Sequence, residues 1–389
     1  MLRFLIVLVA AFSWYIYNNH EVLVHKWMGF ALDLETQILQ RVEAPVTNAD
    51  KCKVVHKEFG ACEDLIVDES TGLIYLPCAD PALRQVFFPG GGHFNYSGLE
   101  EGQNRNKVYL YDPSKDKVVD LELRGYDGED FINHGLDVLF DEEDNTKRTL
   151  FFVNHKNGQS VISVFSHSLG DDHIDHLYDV RDPLISTPNA VTAVGPNAFY
   201  TTNDHAFRLP PMRDLVGALG SYGRLSTVIY CEKFGESTRC EKKASRFPYP
   251  NGIVSFDNHN KVAVADTMLG AVTIYRRDPA SNDLTEIKRV PLGSMLDNIR
   301  VNSDGDLIAT TLPNPRQIIA RLSDMGNKEK RPDSQSIRLS KSDDYSTPEV
   351  VYRDNGNYLS FMTGSLIDPS SNKLYGGSVA DEGLLICQL

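Results

Sequence analysis

A chain of 389 residues has room for two ordinary domains or one large closed β architecture. Its formal charge of −14, with acids and bases interspersed, excludes a nucleic-acid partner. A surplus of carboxylates is compatible with divalent cations, although most of them belong to solvated surface.

The N-terminal stretch MLRFLIVLVAAFSWYIYNNH carries one Arg and then an apolar run from Phe4 to Tyr17. That run is short for a spanning helix, which needs about 20 residues, and closer to a secretory h-region. No small-x-small cleavage site follows it. Trp14, Tyr15 and Tyr17 close it as interfacial aromatics do. Residues 1–20 therefore read as a signal-anchor or a cleaved signal peptide. Either one puts the chain in the secretory pathway, extracellular or membrane-anchored facing outward, with membrane or lipid association open through this segment. Residues 21–389 remain for the folded domain.

The six cysteines show no CxxC zinc spacing and fit the same compartment. Cys52 precedes the first repeat and Cys387 lies near the C-terminus, so their pairing would tie the ends together. Cys62 and Cys78 bracket the first hairpin, and Cys231 and Cys240 flank EKFGESTR as a stapled loop. Other connectivities remain open on spacing alone. Asn95, in NYS, is a glycosylation sequon usable in that compartment.

The first element, CEDLIVDESTGLIYLP, is a hairpin entered by two adjacent acids, Glu63 and Asp64. Burying two like charges is costly unless something positive waits there. The unit, an apolar strand, a polar turn and a second apolar strand, then recurs. DVLFDEEDNTKRTLFFVNH starts at Asp137, AVTAVGPNAFYTTND at Ala190 and GIVSFDNHNKVAVADT at Gly252. NIRVNSDGDLIATTLP starts at Asn298 and SLIDPSSNKLYGGSV at Ser365. Six such units at roughly 45- to 75-residue spacing predict an all-β, six-bladed β-propeller with few helices. NKVYLYDP and GAVTIYRRDP would supply outer strands. Only residues from about 212 to 230 read as helical, and the charged stretch 321–347 reads as a loop insertion.

Innermost strands line a propeller's channel, so residues at the head of each repeat face one another. They are Glu63-Asp64, Asn133-His134-Gly135, Asn189, Asn251, Asp297-Asn298 and Thr363-Gly364. Glu63, Asp297 and the amides of Asn189, Asn251 and Asn298 form an all-oxygen set, which suits Ca²⁺ better than zinc. Singly, each Asn is an ordinary turn residue; at one repeat position they converge. His134 heads the second repeat and His155 ends its second strand, placing an imidazole pair at the same mouth as a candidate general base. Asp204 and His205, in NDHAF, and Tyr249 would line the same pocket.

With these residues in place, the chain resembles the serum paraoxonase/arylesterase family of calcium-dependent lactonases. CEDL, NHGL, VNH, AVGPNAFYTTNDHAF, NGI, LDNIRVNSDGDL and the terminal CQL carry the resemblance, in order, from about Asn19 to Leu389. It implies a catalytic calcium on Glu63, Asn189, Asn251, Asp297 and Asn298, a His134–His155 pair, a pocket His205 and a Cys52–Cys387 bond. It also implies a second, structural calcium on Asp64, the carbonyl of Leu136 and an Asp. Here that Asp is Ala190, so one calcium is expected and the second is left open. Leu312 stands where the family has another pocket histidine, and the stretch from Cys78 to Asn106 aligns poorly.

The expected chemistry is hydrolysis of a lactone or aryl ester, a small-molecule substrate, with calcium polarising the carbonyl. His134 would activate water, tuned by His155. A base held on the calcium is the rival within the same site. The rivals outside it are a gluconolactonase- or strictosidine-synthase-like propeller on another small molecule, and a secreted binding propeller that calcium only stiffens.

Overall fold

The computed structural model describes residues 14–15, 45–126, 129–141 and 143–389. Apart from Trp14 and Tyr15, the expected signal segment 1–20 lies outside these residues. No helix among the described residues is long and apolar enough to cross a membrane.

Six sheets of four or five strands form the blades of a propeller. Their innermost strands are Ile66–Asp68 (after the short Ala61–Cys62), Asn133–Phe140, Pro188–Gly195, Pro250–Phe256, Met295–Val301 and Met362–Asp368. These pack side by side around the axis. Burial falls from the axis outward. Pro188–Gly195 is buried over its first six residues, whereas the outermost strand of the fourth blade, Leu284–Pro291, is mostly exposed. Each inner strand is covered on both sides, which explains near-continuous runs of Val, Ile, Ala and Thr in place of strict alternation. Between the first two blades Phe131, Phe152 and Phe165 pack edge to face, as aromatic quadrupoles prefer.

The ring closes through both ends of the chain. Cys52–Val55 pairs antiparallel with Leu384–Gln388 and completes the sixth blade. Cys52 lies opposite Cys387 in that register, and a disulfide joins them. Cys62–Cys78 and Cys231–Cys240 likewise join residues that face each other across paired strands.

Two sequence expectations are corrected. Helix covers only Met212–Gly217, followed by a 3-10 turn at Gly220–Tyr222; Ser226–Phe234 is the third strand of its blade, paired with Ala198–Asn203. The charged stretch 321–347 contains Ser334–Leu339, the third strand of the fifth blade. In both places strand pairing overrides a local composition that favours helix or loop. Two further helices, Pro81–Val86 and Pro315–Leu322, start at Asp80 and Asn314, whose side chains accept from the backbone N–H of Ala82 and Gln317.

Candidate active site at the channel mouth

Five of the innermost strands break register with their neighbours at the same place. The residues inside those breaks are His134-Gly135, Asn189-Ala190, Asn251-Gly252, Asp297-Asn298 and Thr363. In the first blade Glu63, Asp64 and Leu65 occupy the corresponding gap between Ala61–Cys62 and Ile66–Asp68. A bulge frees backbone from the ladder and re-aims side chains, and here it turns one set from every blade toward the axis. Close backbone approach is the second requirement. A Cβ on Gly252 would lie 2.6 Å from Ile299 N and 2.8 Å from Asp297 O, and one on Gly135 would lie 2.7 Å from Asn189 O.

The side chains so gathered are oxygen-rich and buried. Asn298 Nδ2 donates to Glu63 Oε1 at 2.8 Å and to Glu63 O at 3.2 Å. Asn189 Nδ2 lies 3.5 Å from Asp204 Oδ2, and the Asn251 side chain hydrogen-bonds Asp297. With the amide nitrogens engaged, Glu63 Oε2, Asn189 Oδ1 and Asn251 Oδ1 are buried without a hydrogen-bond partner. Such orphaned acceptors cost about 1–3 kcal/mol each. Left to each other, the two carboxylates diverge. Burial and then the charge of Glu63 push Asp297 well above the usual range. Burial also opposes ionised Glu63, but His134, Arg84 and Asn298 outweigh it and hold it low. Among the described residues no three His, Cys, Asp or Glu side chains cluster as a metal cage; this donor set is two carboxylates and three amides. Hard, uncharged and anionic oxygens in that mixture fit Ca²⁺.

The two predicted histidines meet beside this cluster. His134 Nδ1 is 3.0 Å from His155 Nε2, and His155 Nδ1 is 2.9 Å from Ser160 Oγ. On the other side His134 Nε2 lies 3.6 Å from Glu63 Oε1. Burial, followed by the neighbouring His134 and Arg208, pushes His155 well below its ordinary value, so it is neutral at neutral pH. Asp204 and His205 form a second pair, Oδ1 to Nδ1 at 2.8 Å, with the His205 ring 4.6 Å edge-on to Tyr249. Burial works against ionised Asp204, yet His205 and Arg213 hold it at about 2.

Glu63, His134, Asn189, His205, Tyr249, Asn251 and Asp297 all line one cavity of about 500 Å³. Connections between second and third strands roof it, because they emerge at the same end as the heads of the inner strands. From the first blade, residues 80–106 bring Phe88 to 4.8 Å from the His134 ring, with the Arg84 guanidinium over Phe88. From the third comes Arg213, whose Nη2 donates to Gly90 O at 3.1 Å. From the fifth comes Ile318, beside the buried Leu312. Sequence reasoning missed Arg84, Phe88, Arg213 and Ile318; they stand outside the repeats, where no periodic signal marks them.

Asp64 does not join the cavity. Arg300 Nε donates to its Oδ1 at 3.2 Å, and Arg300 Nη2 bonds its Oδ2 and, at 2.6 Å, the carbonyl of Leu136. Ala190 carries no side-chain oxygen beside them. The positive partner that buried Asp64 required is thus an arginine.

Comparisons with known proteins agree with this architecture. The Arylesterase family model matches residues 85–389. Serum paraoxonase/arylesterase 1 of Mus musculus is 30% identical over 77% of this chain and 81% of its own. Serum paraoxonase/arylesterase 2 of Rattus norvegicus is 28% identical over 72% and 76%. Among solved structures, a gluconolactonase from Xanthomonas campestris shares the fold at a TM-score of 0.50 and 12% identity, over 90% of this chain and 99% of that one. A luciferin-regenerating enzyme does so at 0.50 and 10%, over 89% and 95%. On the family match across most of its length, the chain belongs to the arylesterase family of ester hydrolases.

Proposed function

We propose that this chain is a calcium-dependent hydrolase of lactones and aryl esters. The observation that carries the reading is the trio of buried, unpartnered oxygens on Glu63, Asn189 and Asn251, set in one cavity with His134, which His155 backs at 3.0 Å. Together with Asp297 and Asn298 they would hold the ion. Bound calcium supplies a Lewis acid that polarises the ester carbonyl and stabilises the developing oxyanion.

The rest of the chemistry belongs to the chain. In the tautomer this reaction requires, His155 donates from Nδ1 to Ser160 Oγ, 2.9 Å away, and accepts at Nε2 from His134 Nδ1–H, 3.0 Å away. That tautomer would turn the His134 Nε2 lone pair to the Glu63 side, where it could take a proton from water. The imidazolium so formed keeps its Nδ1–H bond to His155 and faces Glu63, and both stabilise it. Phe88, Leu312, Ile318 and Phe361 form an apolar wall for the non-reacting part of the substrate.

Three disulfides fit an oxidising compartment. We extend the reading to residues 1–20 as the secretory segment, open to lipid association, and to 21–389 as one catalytic domain. Asn95, exposed on the roof of the cavity, would carry a glycan.

Purified protein assayed on γ- and δ-lactones and phenyl acetate, with and without EDTA, tests the proposal. Hydrolysis that EDTA abolishes and calcium restores is the expected result. No hydrolysis that responds to EDTA would leave a binding propeller instead.

A further inference from the structure

Asp64 is fully buried, and all four of its acceptor positions are used. Oδ1 takes Leu65 N–H at 2.9 Å and Arg300 Nε–H at 3.2 Å. Oδ2 takes Leu136 N–H at 3.1 Å and Arg300 Nη2–H. The same Nη2 donates to the Leu136 carbonyl at 2.6 Å, and Nη1 lies 4.0 Å from Asp137 Oδ1.

One guanidinium therefore touches each oxygen that the resemblance assigns to a second calcium. The third expected ligand is missing, because position 190 is alanine. Its backbone is also committed: Ala190 N–H donates to Thr202 Oγ1 at 3.2 Å, and Ala190 O accepts from Thr201 Oγ1 at 2.8 Å. The contrast with the cavity is direct. Glu63, Asn189 and Asn251 each leave a buried oxygen unpartnered, whereas Asp64 leaves none.

We infer that Arg300 is a built-in cation: it fills the position between Asp64 and Leu136 and keeps metal out of it. Arg300 lies on the innermost strand of the fifth blade, two residues past Asn298, on the strand face that points to the axis. It is 5% exposed, and its charge meets that of Asp64 in a bidentate pair. A calcium there would have to displace the guanidinium from its hydrogen bonds to Asp64 and Leu136, or bury a second cation against it with only Asp64 and Asp137 nearby to offset the charge, which is costly. The consequence is a propeller whose axis is pinned from the fifth blade to the first by a hydrogen-bonded ion pair, which needs no calcium at that position.

The inference rests on the calcium reading above only for the number of ions expected. The test is calcium stoichiometry of the full chain by equilibrium dialysis after chelator stripping, in wild type and Glu63→Gln. One ion per chain, lost in Glu63→Gln, is the expected result. Two ions, or one ion that Glu63→Gln retains, would overturn the inference. No bound calcium at all would sink the catalytic-calcium reading and still support an arginine-filled position. In a second arm, Arg300→Met combined with Ala190→Asp is expected to gain one bound calcium; a folded double variant without that gain counts against the inference. If the double variant fails to fold, the wild-type stoichiometry still decides.

Discussion

His134 Nδ1 lies 3.0 Å from His155 Nε2, and the pair is buried between Ser160 and the Glu63 carboxylate. A base needs a proton acceptor on the solvent side and a partner that steadies the charge once it forms. In the proposed mechanism His134 takes the first role and His155 the second. His134→Gln is expected to lower kcat on a lactone by about 10²- to 10⁴-fold, while calcium still raises the melting temperature. His155→Gln keeps the acceptor and should cost less, about ten- to a hundredfold. Near-normal turnover in His134→Gln would rule out the histidine base.

Gly252 sits where two inner strands come closest, and any Cβ there collides with Asp297 O and Ile299 N. Gly252→Ala should lower stability by about 1–3 kcal/mol through overpacking. It should also weaken calcium binding, because the backbone that must shift carries Asp297 and Asn298. Gly326→Ala, at an exposed position with nothing within 4 Å of the added atom, is the matched control and should change neither. Urea midpoints and calcium titrations of both variants make the comparison.

The Cys52–Cys387 bond spans 335 residues of sequence and locks the strand that closes the ring. Replacing both cysteines by alanine should lower stability by about 2–5 kcal/mol, read as a shift in the denaturant midpoint under oxidising conditions. Turnover should persist in the folded fraction, because the bond lies in the outer half of the sixth blade, away from the cavity. A double variant as stable as wild type would mean that strand pairing alone closes the ring.

His167 is buried away from the candidate metal cluster, with Tyr75 Oη 2.7 Å from Nδ1 and Asp171 O 3.2 Å from Nε2. Burial pushes its pKa below the ordinary 6.5, against the Asp171 carbonyl. The unfolded chain then takes up a proton near pH 6.5 that the folded one resists. Its contribution is complete above that pH and is lost as pH falls below it, by at most about 1.4 kcal/mol per pH unit. His167→Gln should flatten that part of the stability curve, seen in urea midpoints taken at intervals from neutral to mildly acidic pH. An unchanged slope would show that His167 titrates normally.

Much of this molecule was legible in the sequence, because its information is local and repeated. Strand–turn–strand units recur at matching phase, so the propeller, and with it the convergence of Glu63, Asn189, Asn251, Asp297 and Asn298, follows from reading equivalent positions together. The cysteine positions carried the ring closure for the same reason: they flank strands that a closed ring makes adjacent. Local signals misled where pairing overrode them, at Ser226–Phe234 and at Ser334–Leu339 inside a charged stretch.

Tertiary structure alone decided the rest. The shared bulge at the head of each inner strand is a property of paired strands, invisible in any one of them. The roof of the cavity comes from insertions in three different blades, whose contacts with Phe88, Arg213 and Ile318 have no sequence period. Glu63 and Asp64 are neighbours in the chain, yet they serve different partners. One turns to the cavity, and the other meets Arg300, 236 residues away. A buried carboxylate must find a cation, and sequence predicts that need. Which cation answers it depends on what the closed ring brings within bonding distance, and here it brings a guanidinium.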